Sequence, residues 1–254
     1  MNNSAKIEEN KLYEYNLYKA ENTLWYFNNL IKSSCKDYTA VKFMDSNVYV
    51  WLENVKIEGD YYIGELAENG NTQKVPINDA IDWVIIENGR LIGGYTIRHY
   101  RNTLDDEAKM NFDIDFGVKI DDGNDFFKPD LTTPEGAIIK IENYYTEQNL
   151  EGVISCKDFE KEAENLLGER GAIITEEIKN KIAEALKSSL IETYQSNEFP
   201  YFENIKRCFT LLEEKEDQRL IEEKVILQNG NFTFNNLWVW QSKEGDWKVL
   251  NLVE

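Results

Sequence analysis

Apolar positions along the chain change their spacing near residue 40. Leu17, Ala20, Leu24, Phe27 and Ile31 step by three or four residues, so they share one side of a helix predicted over Tyr15–Lys32. The period then falls to two. Val41–Met44, Val48–Leu52, Tyr61–Leu66, Ile81–Ile86 and Leu91–Arg98 read as short strands. Asp45-Ser46-Asn47, Glu58-Gly59-Asp60, Asn69-Gly70 and Asn88-Gly89 between them are turn chemistry. Asn88-Gly89 suits a type I′ turn, whose two central residues both need positive φ. Counting outward from it pairs Glu87 with Arg90, Ile86 with Leu91, Ile85 with Ile92 and Trp83 with Gly94. The Trp83 indole is then expected to lie over a residue without a side chain. A helix followed by an antiparallel meander predicts a small curled sheet closed by the helix.

Residues 1–10 read as frayed. Residues 102–132 are acidic and turn-rich, with Pro129 inside and Pro134 just beyond, and mark a boundary. A linker is expected over 106–131. Phe112, Ile114, Phe116, Val118 and Ile120 alternate within it as an edge strand would, which is the other reading. Fragments ending near Asp105 and starting near Leu131 are each expected to fold. The second half opens with Thr133-Pro134-Glu135, a cap, a first-turn proline and an acid at the positive end of a helix. Ile138, Ile141 and Tyr145 form its apolar face. Helices over Lys157–Leu167 and Thr175–Ser196 follow, then strands over Ile205–Leu212, Arg219–Leu227, Leu237–Gln241 and Trp247–Val253. The fold class is α+β: a helix plus curled antiparallel sheet over 11–105, and three helices with a second antiparallel sheet over 132–254.

Composition narrows the function. The chain carries 47 acids against 28 bases, a net charge of −19, in both halves alike. Such a surface repels phosphate backbones, so nucleic acid is not an expected partner, while a basic protein is. No apolar run approaches the roughly 20 residues of a membrane span. The first residues lack the layout of a secretory signal, and Cys35, Cys156 and Cys208 are odd in number and far apart. A cytoplasmic, reducing location is expected, with no membrane partner.

Candidate chemistry is sparse. His99 is the only histidine, which excludes a multi-histidine metal site, and it reads as a partly exposed imidazole at a strand end. Asp113, Asp115, Asp121, Asp122 and Asp125 do not have EF-hand spacing. No metal, cofactor or catalytic residue is expected. By alternation Arg98 shares a face with Trp83, where Asp82 is its expected anchor and an anionic ligand the alternative. Trp238 and Trp240 project from one face of their strand, as a core wall or the wall of an apolar small-molecule pocket. No Asp or Glu stands out alone in an apolar strand run. The candidate binding positions are Trp83, Tyr95, Arg98, Trp238 and Trp240.

Residues 17–105 resemble the bacterial domain-of-unknown-function family 2314. The resemblance rests on Ala20-Glu21-Asn22-Thr23-Leu24 in the first helix, on the Trp51 strand, and on Asp82-Trp83 followed by Asn88-Gly89-Arg90-Leu91-Ile92-Gly93-Gly94-Tyr95-Thr96-Ile97-Arg98. It implies an architecture and no agreed activity. Where many relatives carry a longer hairpin this chain has the short connection Asn69–Val75. Residues 132–254 look like the nuclear-transport-factor-2-like superfamily, from three helices before a meander that closes with Gly245-Asp246-Trp247-Lys248-Val249. That resemblance implies a cone-shaped domain around a pocket, used for ligand binding, dimerisation or catalysis. A non-catalytic binding module is the functional expectation, with an immunity-type protein that neutralises a basic toxin as one version. The alternative is a small isomerase, dehydratase or hydrolase acting in the C-terminal pocket.

Overall fold

Eighteen segments of regular structure follow one another in the computed structural model, which describes residues 10–33, 37–171 and 175–253. The expected frayed end, apart from Asn10, and Cys35 lie outside the described residues. The chain divides into two units, residues 1–126 and 127–254. Both combine helices with an antiparallel sheet, so the α+β class holds.

The first unit opens with α1 (Lys11–Ser33). Six strands follow: β1 (Tyr38–Asp45), β2 (Val48–Glu58), β3 (Tyr61–Leu66), β4 (Thr72–Pro76), β5 (Asp82–Glu87) and β6 (Arg90–Gly93), in the order β4-β3-β2-β1-β5-β6. The segment read as a short connection contains β4, paired along β3. One sheet face meets α1 in a core built on Ala20, Phe27, Val41, Phe43, Leu52, Tyr62, Trp83 and Ile85. Alternation decides which strand residues join it, because neighbours along a strand face opposite ways.

The Asn88-Gly89 turn has φ of 52° and 68°, and its register is Glu87 with Arg90, Ile86 with Leu91 and Ile85 with Ile92. The strand then stops earlier than its alternation suggests. Gly93 and Gly94 both have positive φ, 70° and 67°, and turn the chain into α2 (Tyr95–Thr103). Two consecutive left-handed residues are cheap only for glycine. Leu91–Arg98 is therefore half strand and half helix. The indole of Trp83 covers Gly93, where an added Cβ would stand 2.5 Å from a ring carbon; at Gly94 it would meet Leu91 instead. The open position under the indole is thus one residue earlier than the count predicted.

Most of the region expected to be a linker, residues 106–126, belongs to the first unit. Asp105 caps α3 (Asp106–Phe116) by accepting from the Ala108 N–H, and Gly117, with φ of 68°, closes it. Phe112 and Phe116 stack as i, i+4 neighbours of a helix rather than alternating along a strand. Past Gly117, Lys119 exchanges backbone hydrogen bonds with Gly89 and Leu91 beside β6. Asp125 then pairs with Lys19 of α1 at 2.9 Å. The Trp25 indole donates to the Phe126 carbonyl at 2.7 Å, and Tyr26 stacks on Phe126.

In the second unit Thr133 caps α4 (Pro134–Thr146), with Pro134 in its first turn. Next come α5 (Leu150–Ser155), which periodicity did not suggest, α6 (Phe159–Glu169) and α7 (Glu176–Ser196). A meander of β7 (Lys206–Lys215), β8 (Gln218–Ile226), β9 (Phe232–Gln241) and β10 (Trp247–Val253) completes it. Phe209, Ile221, Val225, Val239 and Val249 are buried on one sheet face, and α4 contributes buried Ile138 and Ile141. Among the described residues no helix is long and apolar enough to cross a membrane.

Two outcomes test this architecture. Gly93→Val should cost roughly 2–5 kcal/mol, combining a left-handed backbone with overpacking against Trp83. The urea midpoint measures it, and an unchanged midpoint would place Trp83 elsewhere. A 1–126 fragment should melt cooperatively by circular dichroism. A 1–105 fragment, lacking α3 and the anchors at Asp121, Asp125 and Phe126, should melt on the order of 10 °C lower or remain unfolded.

Candidate functional site

Three of the candidate positions meet in the interior of the first unit. Trp83 is fully buried, and its indole N–H donates to Thr23 Oγ1 at 3.1 Å. Thr23 also lies 3.3 Å from the Tyr95 hydroxyl. The Trp83 and Tyr95 rings meet edge to face at 6.1 Å. Burial, reinforced by Asp125, pushes the Tyr95 phenol well above its ordinary pKa. Arg98 is not anchored by Asp82. It lies on α2 and donates to the carbonyls of Gly93 (2.8 Å), Leu91 (2.9 Å) and Asp121. Its guanidinium thereby clamps the strand end, the helix and the segment after α3.

Asp82 has a different task. Its carboxylate, 1% exposed, accepts from the backbone N–H groups of Trp83 (2.8 Å), Tyr95 (3.1 Å) and Thr96 (2.7 Å) and from the Thr96 hydroxyl. Gly94, which precedes α2, has no side chain to cap it, and Asp82 supplies the cap from β5. Burial raises the Asp82 pKa against the opposing pull of these bonds and of Lys42. Lys42, also buried, donates to Thr96 Oγ1 at 3.2 Å, and burial lowers its pKa.

His99 is 1% exposed inside α2, not a partly exposed imidazole at a strand end. Its ring packs against Tyr13 at 5.3 Å and Nδ1 lies 3.4 Å from Asn16, while Nε2 has no hydrogen-bond partner. Three acids of the expected linker are engaged by bases. Arg101 grips Asp113 through two bonds of 2.6 Å, Arg90 pairs with Asp121, and Lys19 with Asp125. Among the described residues no group of three or more His, Cys, Asp or Glu side chains could hold a metal ion.

The sheet face away from α1 carries an apolar cup of about 200 Å³. Tyr38, Trp51, Val84, Ile86, Ile97 and Phe116 line it, drawn from β1, β2, β5, α2 and α3, with Val118 and Ala67 at its edge. Its one acidic group is Glu53, which accepts from the Tyr38 hydroxyl at 2.8 Å. Burial, with Glu53 beside it, raises the Tyr38 pKa.

In the second unit Trp238 and Trp240 flank buried Val239 and are themselves half-buried. The ammonium of Lys215 stands 4.2 Å from the Trp238 ring and that of Lys161 5.2 Å from Trp240. Trp240 borders a cleft of about 980 Å³ between α6, α7 and the sheet edge. That cleft is polar, with five lysines and five acids around its walls.

The sequence reading missed Glu142, Arg207 and Glu223. Arg207 sits between both carboxylates, 2.7 Å from Glu142 and 3.0 Å from Glu223, and Asn235 donates to the outer oxygen of Glu223 at 3.2 Å. Burial pushes the Glu142 pKa well up, and the neighbouring Glu223 pushes it further. The signal was parity: Glu223 lies between Ile221 and Val225 on the buried face of β8.

Residues 16–120 match domain-of-unknown-function family 2314, described as an uncharacterized protein conserved in bacteria. The match falls wholly within the first unit. A protein of Neisseria meningitidis serogroup B that bears an ankyrin-repeat name is 28% identical over 83 residues, 29% of this chain and 33% of that protein. The chain thus spans about a third of that relative's length. No solved structure matches.

Asp82→Ala should cost about 2–5 kcal/mol, because it strips the α2 cap and leaves Lys42 buried without its counter-charge. Equilibrium urea unfolding measures this, and a cost near zero would refute the capping role. Glu142 gives a pH signature. From pH 4.5, its ordinary value, upward, the unfolded chain releases the Glu142 proton while the folded chain holds it. Wild-type stability should therefore fall as pH rises above that point. Glu142→Gln should flatten this slope between pH 5 and 8, and an unaltered slope would contradict the raised Glu142 pKa.

Proposed function

We propose that this chain is a non-catalytic bacterial binding protein of two modules, acting in the cytoplasm, whose partner is a basic protein. The observation that carries the reading is where the charge goes. Buried and half-buried cations such as Lys19, Lys42, Arg98, Arg101 and Arg207 are engaged inside the units. Among the described residues the buried acids are Asp82, Asp125, Glu135, Glu142 and Glu223, so most of the acidic excess faces solvent, where it attracts a basic surface over about a Debye length. An immunity-type protein that neutralises a basic toxin is the sharpest version of this reading. The helices-then-meander order of the second unit supports a nuclear-transport-factor-2-like domain, through which a homodimer would form. The enzymatic alternative, an isomerase, dehydratase or hydrolase, would use Glu142 or Glu223, and both are held by Arg207.

Full-length protein immobilised as bait in lysate of its native host should retain basic proteins at low salt. Retention should weaken as sodium chloride passes about 0.1 M, where screening reaches about 10 Å. Recovery of only acidic or housekeeping proteins, or retention indifferent to salt, would sink the proposal.

A further inference from the structure

We infer that the cup on the first unit receives the side chain of a lysine from the basic partner, with its stem against Trp51, Tyr38 and Phe116 and its ammonium on Glu53. The biological occupant rests on the reading of a basic partner; the chemistry of the cup stands on its own geometry.

Size comes first. Sites for whole drug-sized ligands occupy about 300–1,000 Å³, and this cup is about 200 Å³, the scale of one long side chain. Its walls come second. Three aromatic rings with Val84, Ile86 and Ile97 suit an aliphatic stem, and aromatic faces also attract a cation. Charge comes third. Glu53 is half-buried at the cup, and among the described residues no lysine, arginine or histidine pairs with it. Tyr38 occupies Oε1 and leaves Oε2 to a donor. Glu65, opposite Glu53 in the β2–β3 register, adds a second negative charge on that face. Lys42, one pleat along, donates to Thr96 and stands 5.7 Å from the Trp51 ring, and no ion pair joins it to Glu53. An anion or a neutral apolar group would leave Glu53 uncompensated, whereas a lysine satisfies stem and carboxylate together.

The test uses the full chain labelled with nitrogen-15 and follows the Trp51 indole N–H, assigned by its loss in Trp51→Phe. Titration with n-butylammonium, the lysine side chain without its backbone, should give a saturable shift. Butan-1-ol and Glu53→Gln should each weaken it about tenfold or more, as loss of one desolvated charge contact implies. Butyrate should not bind. A Gly-Lys-Gly peptide should bind at least as tightly as butylammonium. Equal response to butan-1-ol or butyrate, no saturable shift, or a Glu53→Gln variant that is folded and binds normally would overturn the inference. Exclusion of the peptide, or preference for propylguanidinium, would overturn the assignment to lysine. If Glu53→Gln fails to fold, the ammonium-against-alcohol comparison on the wild type still decides. No protein partner is needed, so a negative titration leaves the basic-partner proposal standing, and a failed capture leaves the cup's chemistry standing.

Discussion

One buried carboxylate organises the first unit. Asp82 stands at the start of β5 and holds the first turn of α2, which begins thirteen residues later. The intervening Gly93 and Gly94 are left-handed, and nothing in their own chemistry would stop them swivelling. Three hydrogen bonds from Tyr95 and Thr96 to the Asp82 carboxylate fix the angle, at about 1.5–3 kcal/mol each before the cost of burying the charge. Arg98 closes the same corner from the helix side by returning to Gly93 and Leu91. The residues that identify the family 2314 resemblance are therefore chiefly a latch between strand, turn and helix.

Much of this was legible in the sequence because it is local. Apolar spacing located α1, α4 and most strands, and Asn88-Gly89 fixed the hairpin and its register. The errors share a cause. Tyr95-Thr96-Ile97 has strand-favouring residues, so propensity pointed away from the helix that a distant carboxylate nucleates. Phe112 and Phe116 fit both a strand and a helix, and only the packing of Phe112 on Tyr100 and of Phe116 on Phe112 separates the two. The cup was invisible for a stricter reason: Tyr38, Trp51, Ile97 and Phe116 come from four elements and no spacing joins them. Glu223 could have been found, since its parity places it inward beside Ile221 and Val225.

The two units handle buried charge by opposite means. In the first, Lys42 and Asp82 offset each other around Thr96. In the second, Arg207 faces two glutamates, and burial beside Glu223 raises the Glu142 pKa, which favours its neutral form. Both solutions leave the acids at the surface free to set the external field.

The reach of α1 to Asp125 and Phe126 governs the order of events during synthesis. The six strands and α1 leave the ribosome before the residues that pin Lys19, Trp25 and Arg98 have been made. Until Lys119 arrives, β6 presents an open edge, of the kind that recruits foreign strands. At translation speeds of about 5–20 residues per second that exposure lasts on the order of seconds. The acidic character of the emerging chain, 22 acids against 13 bases by residue 125, then serves a purpose apart from recognition: neighbouring nascent chains repel one another while the edge is bare.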